Sequence, residues 1–194
     1  MLKKIITKEE KDRKLKRNQL FLGFILIAIM IFSTLGFAFS NNNISSSNVV
    51  NYKNVKFVQD SGYWKFNVNN IEFLTLYNPT EIEDINFLGN LTLNDYSDKP
   101  LYFFGERGDH NLEIERNLLD RFILRISPAC IDSEKCEQDL PVKNCKDDYI
   151  IVYKVANNEE EKIYQENKCV YIIADVKNQG KYADVFLFKL LGLK

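Results

Sequence analysis

The chain has 194 residues, room for one domain with a single core once a tail and an apolar segment are set aside. Its net charge of -1 hides an asymmetry: the first nineteen residues carry eight basic groups against three acids, net +5, and the remainder carries 18 basic against 24 acidic groups, net -6. An acidic remainder excludes nucleic acid as the partner of the folded part, because phosphate neutralisation needs clustered Lys and Arg.

Residues 1–19 read as a basic cytoplasmic tail, with Lys3, Lys4, Lys8, Lys11, Arg13, Lys14, Lys16 and Arg17 ahead of an uncharged run. That run, 20–39, would cover about 30 Å as a helix, the thickness of a bilayer's hydrocarbon core, so a transmembrane helix is expected there. Ser33 and Thr34 can bond back to carbonyls of the preceding turn and cost little in lipid. Gly23 and Gly36 are too far apart for a small-xxx-small pair, so no dimer through the span is expected. Basic residues before the span keep the N-terminus cytoplasmic and send the rest outside. A cleaved signal peptide is the alternative, since Ala38-Phe39-Ser40 before Asn41 fits a cleavage site. The charged region and the apolar run are both longer than usual for a signal peptide, which favours a retained single-pass signal anchor with the lipid bilayer as its partner.

Residues 40–54, rich in Asn and Ser, read as a flexible stalk. Asn43 in the stalk and Asn90 beyond it head triplets that match the glycosylation acceptor pattern, whereas Asn78 is excluded by Pro79. An extracytoplasmic domain should then occupy 55–194. Residues 55–58, the alternating run through Trp64, Phe66 and Val68, and 71–77 predict a three-stranded meander turning at Gly62 and at Asn69-Asn70. Trp64 is expected to serve the core. Pro79 and the acids after it predict a helical turn over 79–85.

Residues 101–104, LYFF, predict a strand buried on both faces. Asp109 is placed as the cap of a helix with Leu112, Leu119, Phe122 and Ile123 inward, and 122–127 as a second strand, which begins a βαβ unit. The loop between strand and helix is where such folds commonly bind anions, and it holds the chain's one histidine. Glu106, Arg107, Asp109 and His110 are therefore a weak loop site. No phosphate-loop spacing is present, no lysine follows, and turn chemistry is the plainer account of the same residues.

All four cysteines, Cys130, Cys136, Cys145 and Cys169, fall in the outer half, the usage expected of disulfides in an oxidising compartment. Three pairings are open, and Cys130 with Cys136 plus Cys145 with Cys169 is favoured. Strands over 149–155, 162–165 and 169–174 read as a second meander, in which the region before its first strand lies near the start of its third. No Cys-x-x-Cys pair exists and the intervals fit no common zinc module, so no metal and no cofactor are expected. Nothing basic is reliably placed to activate a thiolate, so no catalytic residue is assigned. Residues 181–191 predict a mostly buried helix whose narrow polar edge is Lys181, Asp184 and Lys189, with Gly192 as its C-cap.

The fold class expected is α+β: one N-terminal transmembrane helix, then a mixed sheet built from two meanders with two main helices. The basic tail running into one span, the Asn/Ser stalk, Cys130, Cys145 and Cys169 in a strand-rich region, and the terminal ADVFLFKLLG resemble single-span archaeal membrane proteins of uncharacterised activity. The resemblance implies an archaeal cell envelope and no particular chemistry. The function expected is a non-enzymatic binding or envelope-assembly module with a protein or glycan partner. An extracytoplasmic thiol-disulfide oxidoreductase or another envelope enzyme is the alternative.

Overall fold

A computed structural model describes residues 8–40, 48–106, 108–136 and 138–194, in two compact units divided after Ser46. The described residues of the first unit form one helix, α1 (Lys8–Ser40), of 33 residues and therefore about 50 Å long. Its window Lys16–Ser33 has no buried residue and is, among the described residues, the stretch long and apolar enough to cross a membrane. Leu20, Phe21, Leu22 and Phe24 are all exposed, so apolar side chains ring the helix and do not form one stripe. A stripe would suit packing on a core, and a ring suits lipid. The helix runs past its apolar part toward the N-terminus, carrying Arg13, Lys16 and Arg17 as exposed groups on a continuous rod.

The second unit opens with four antiparallel strands in chain order, β1 (Val49–Tyr52), β2 (Val55–Asp60), β3 (Tyr63–Val68) and β4 (Ile71–Thr75). The expected stalk is thus shorter than 40–54: Val49–Tyr52 pairs with β2, while residues 41–47, including Asn43, lie outside the described residues. Each hairpin turns on two residues at positive φ, Lys53-Asn54, Ser61-Gly62 and Asn69-Asn70. This turn type matches the right-handed strand twist, and Asn and Gly adopt it at least cost. Phe57, Phe66 and Phe73 line up across β2, β3 and β4, with ring centroids 4.5 and 5.6 Å apart. Trp64 is buried beside them, as a core residue.

A turn of 3-10 helix (Pro79–Ile82), β5 (Phe87–Leu88) and the short α2 (Leu93–Tyr96) lead to β6 (Pro100–Phe104), α3 (Asp109–Leu118) and β7 (Arg125–Pro128). β6 and β7 pair in parallel, so the expected βαβ unit is present. The chain then leaves the sheet for an excursion containing β8 (Cys130–Ile131) and β9 (Val142–Lys143), and returns as β10 (Tyr149–Lys154), β11 (Lys162–Glu166), β12 (Cys169–Ile173) and α4 (Gln179–Leu190). The six-stranded sheet has the order β5-β11-β12-β10-β6-β7.

That order corrects the second meander. β10 pairs in parallel with β12, and β11 sits on the far side of β12, antiparallel to it. The reason is burial: β10 and β12 are apolar on both faces and take interior places, while Lys162 and Glu166 of β11 are exposed and suit a place nearer the edge. The fold class, mixed α+β with one N-terminal apolar helix and two main domain helices, stands as expected.

The six-stranded sheet buries both faces. On one, Leu101, Phe103, Ile151, Tyr153, Val170 and Ile172 meet α3 and α4. On the other, Tyr102, Ile150, Val152 and Tyr171 are covered by Ala129 and Ile131 of the excursion. α4 lies between the two sheets: Phe188 contacts Phe57 and Phe66 at 5.9 and 5.7 Å, and Phe186 contacts Phe87 and Tyr96 at 6.3 and 5.8 Å. Gly192 follows α4 at φ 72°, the left-handed C-cap expected. Asp184, assigned from the sequence to a polar edge of this helix, is fully buried.

Both disulfides fasten the excursion. Cys130 is bonded to Cys136 within it, and Cys145, at its end, to Cys169 at the start of β12, with Cα atoms 5.7 and 5.0 Å apart. The second bond is short-range in space because β10 and β12 run parallel as neighbours, so Cys145 and Cys169 enter the sheet side by side.

Candidate functional site

The β6–α3 connection sits where the sheet changes direction. From β6 the chain crosses by α3 to β7 on one side, while β10 lies on the other, an arrangement that leaves a crevice at the strands' carboxyl ends. Gly105 makes the turn at φ 115°, and a Cβ there would come within 2.6 Å of the Tyr153 carbonyl oxygen. Glycine is required on both counts. α3 then starts at Asp109 with Gly108 in the N-cap position, one residue earlier than the sequence suggested. Asn111 closes that start: Gly108 N donates to Asn111 Oδ1 at 2.9 Å, and Asn111 N to the Gly108 carbonyl at 3.0 Å.

His110 faces inward, 5% exposed, with its ring 4.0 Å from that of Tyr153 between centroids. Its Nε2 lies 3.1 Å from the Glu106 carbonyl oxygen, and because a carbonyl only accepts, Nε2 carries the proton. Glu106 is exposed and borders a cleft whose lining does not include His110. Arg107 and the side chain of Asp109 lie outside the described residues.

Of the inward positions expected for this helix, Ile123 is buried and Phe122 packs on the core, but both follow the end of α3 at Leu118, and the buried face of α3 itself differs from the one expected. Leu112 is 49% exposed, while Ile114 and Leu118 are buried together with the polar His110, Asn111, Glu113 and Asn117. An apolar-periodicity search cannot find a face that is half polar. The polar groups are there because β4 is an edge strand whose outer amides need partners. Leu74 N donates to Asn117 Oδ1 at 2.9 Å and Asn117 Nδ2 to the Leu74 carbonyl at 2.6 Å. From α4, Asp184 Oδ2 accepts from Leu76 N and Tyr77 N at 3.0 and 2.9 Å.

Around this seam Glu113 pairs with Arg116, whose guanidinium lies 4.5 Å above the Tyr63 ring. Asp184 Oδ1 has no hydrogen-bond partner among the described residues. Burial, reinforced by the Glu113 charge and opposed by the amides of Tyr77 and Leu76 and by Arg116, raises the Asp184 carboxyl well above the usual range. Burial likewise pushes the Tyr153 phenol up, with Asp184, Glu115 and Glu113 adding to it.

Two clefts flank Gly105 and share Phe103, Gly105 and Pro128 as walls. One, of about 240 Å³, lies against α3 and is completed by Asn111, Glu115, Leu119, Ile126 and Ser127. The other, of about 250 Å³, opens beside the excursion at Glu106, Lys135, Cys136, Gln138 and Leu140. Cys136 is half-buried there, whereas Cys130 is 3% exposed. Among the described residues no group of three or more His, Cys, Asp or Glu side chains could hold a metal ion. Asn90 is exposed; its backbone N donates to Gln165 Oε1 at 2.8 Å, and the Thr92 hydroxyl of its triplet donates to Asp95 at 2.8 Å.

Of the residues that shape the site, Asn111, Glu113, Arg116, Tyr153 and Asp184 are not marked by the sequence as site residues. Asp184 leaves one signal, a lone acid inside an otherwise apolar helix. No family model, no curated protein and no solved structure matches the chain.

Proposed function

We propose that the protein is a single-pass membrane protein of the cell envelope, with its N-terminus cytoplasmic and its domain outside, and that the domain is a non-enzymatic binding module for a protein or glycan partner. The observation that carries this reading is the division of the chain: an apolar helix exposed all round, joined to a domain in which Cys130, Cys136, Cys145 and Cys169 are all disulfide-bonded. Bonds of this kind persist where glutathione does not reach. The basic residues that precede the apolar part of α1 support a cytoplasmic N-terminus. The resemblance of the sequence layout to single-span archaeal membrane proteins supports an archaeal envelope.

In the α3–α4 seam Asn117 and Asp184 Oδ2 hold amides in and beside β4, a structural use that favours recognition over catalysis. A thiol-disulfide oxidoreductase is the second reading, favoured by Cys136 and Cys145, disulfide-bonded cysteines that each border a cleft. One experiment separates the two. Intact cells are treated with a membrane-impermeant maleimide before and after reduction, and labelled peptides are located by mass spectrometry. The binding-module reading expects no label before reduction and label at Cys136 after it. Label without reduction means a free thiol and moves the balance to the redox reading, and no label after reduction removes the outside location.

A further inference from the structure

We propose that α1 carries a site for one anionic lipid of the cytoplasmic leaflet: the headgroup phosphate sits on Lys16, flanked by Arg13 and Arg17, and one acyl chain lies in the groove over Gly23. The inference rests on the reading of α1 as a membrane span with a cytoplasmic N-terminus, and it goes beyond that reading by making one face of the span a binding site.

Three observations converge. First, Lys16, Gln19, Leu20, Gly23, Phe24 and Ile27 line a groove of about 550 Å³ on α1. Gly23 opens it, since a Cβ there would meet nothing within 4 Å. Positions 16, 23 and 27 fall within roughly 40° of arc on the helix, so Lys16 stands in line with the floor of the groove. From Lys16 to Ile27 is about 16 Å along the axis, close to half of a bilayer's hydrocarbon core. The groove therefore ends inside the leaflet whose headgroups Lys16 reaches.

Second, the mouth of the groove is basic. Arg13, Lys16 and Arg17 are exposed, fall within roughly 100° of arc, and stand just before the uncharged run 20–39. Asp12 lies one turn before Lys16, but residues 1–19 as a whole carry net +5. A long basic side chain at this depth extends to the headgroups while its methylenes stay on apolar surface. A cationic mouth on an apolar groove complements an anionic headgroup on an acyl chain.

Third, the same charges select against a second copy of the span. Copies of a single-pass protein share one orientation, so a pair formed symmetrically through this groove is parallel and brings Lys16 against Lys16. Like charges oppose that pair, whereas a phosphate satisfies them. A zwitterionic headgroup brings its own cation and gains less.

The test reconstitutes the full chain into vesicles of equal parts phosphatidylglycerol and phosphatidylcholine with identical acyl chains, and washes them with alkaline carbonate. Lipids retained after release into detergent are counted by native mass spectrometry. One phosphatidylglycerol should stay on each protein, preferred over phosphatidylcholine by at least about fivefold, the worth of one basic residue at an anionic headgroup. Lys16→Gln should lower that preference about fivefold. Gly23→Leu fills the groove with an apolar, helix-forming side chain, leaves every charge in place, and should abolish retention of the single lipid. Ala28→Leu, an enlargement outside the groove lining, should leave retention unchanged. Loss of the protein in the carbonate wash overturns the span reading and this site with it. Protein that stays but retains both lipids equally leaves the span standing and overturns the site. So does undiminished retention by Gly23→Leu, which would mean diffuse attraction to the basic residues alone.

Discussion

Asp184 is the residue at which the fold departs furthest from what its sequence context suggests, and its titration has a definite sign. Unfolded, an aspartate ionises near pH 3.9. Folded, Asp184 is surrounded by apolar neighbours, Glu113 and Arg116 of α3 and the phenol of Tyr153, and its pKa is raised well above the usual value. Below about pH 4 both states hold the proton and the contribution of Asp184 to stability is fully present. As pH rises, the unfolded chain releases a proton that the folded one keeps, so stability falls by up to about 1.4 kcal/mol per pH unit until the folded carboxyl itself ionises. An Asp184→Asn variant retains an oxygen to accept from Leu76 and Tyr77 and has no proton to lose. Urea midpoints of the two proteins, followed from about pH 4 to about pH 8, should diverge in favour of Asp184→Asn as pH rises. Parallel curves would mean that Asp184 is ionised in the folded protein.

At the scale of elements, the Cys145–Cys169 bond joins residues 24 apart and ties the excursion to the entry of β12. Loop-closure entropy puts its contribution at about 3.5 kcal/mol. A Cys145→Ser, Cys169→Ser double variant should lose roughly that much in denaturant unfolding, while Cys130→Ser, Cys136→Ser, which opens a shorter loop of separation 6, should lose less. The opposite ranking would show that strain or denatured-state structure outweighs chain entropy here. The elements themselves were readable to different depths. The hairpins of the first sheet announce themselves through Gly62 and Asn69-Asn70, because positive φ leaves a residue signature. β1 was hidden by its Asn-rich surroundings, although Val49, Val50 and Tyr52 are ordinary strand residues. Strand order in the second sheet needed one more step, since chain order suggests a meander and only the contrast between two fully apolar strands and a half-polar β11 places β12 in the middle. The site was least legible: Asn117 and Asp184 are buried polar groups whose roles come from amides in and beside β4, far away in sequence, which local periodicity does not report.

At the scale of the whole molecule, the two units have opposite relations to solvent. α1 presents apolar side chains on every side, whereas the domain carries its own core between two sheets, with Phe57, Phe66, Phe186 and Phe188 all at 1% exposure or less. A unit with its own core, its own disulfides and satisfied edge amides has the requirements for folding alone. Residues 48–194, secreted into an oxidising compartment without α1, should therefore be soluble, form both disulfides and unfold cooperatively on heating. The full chain should stay with the membrane pellet through alkaline carbonate washing, because about twenty apolar residues in lipid are not released by a change of pH. The two halves of this prediction fail separately. Aggregation of 48–194 would show that the domain needs α1, its lipid surroundings or a partner to cover part of its surface, and release of the full chain by carbonate would show that α1 is not embedded and that its ring of exposed apolar residues is covered by protein instead.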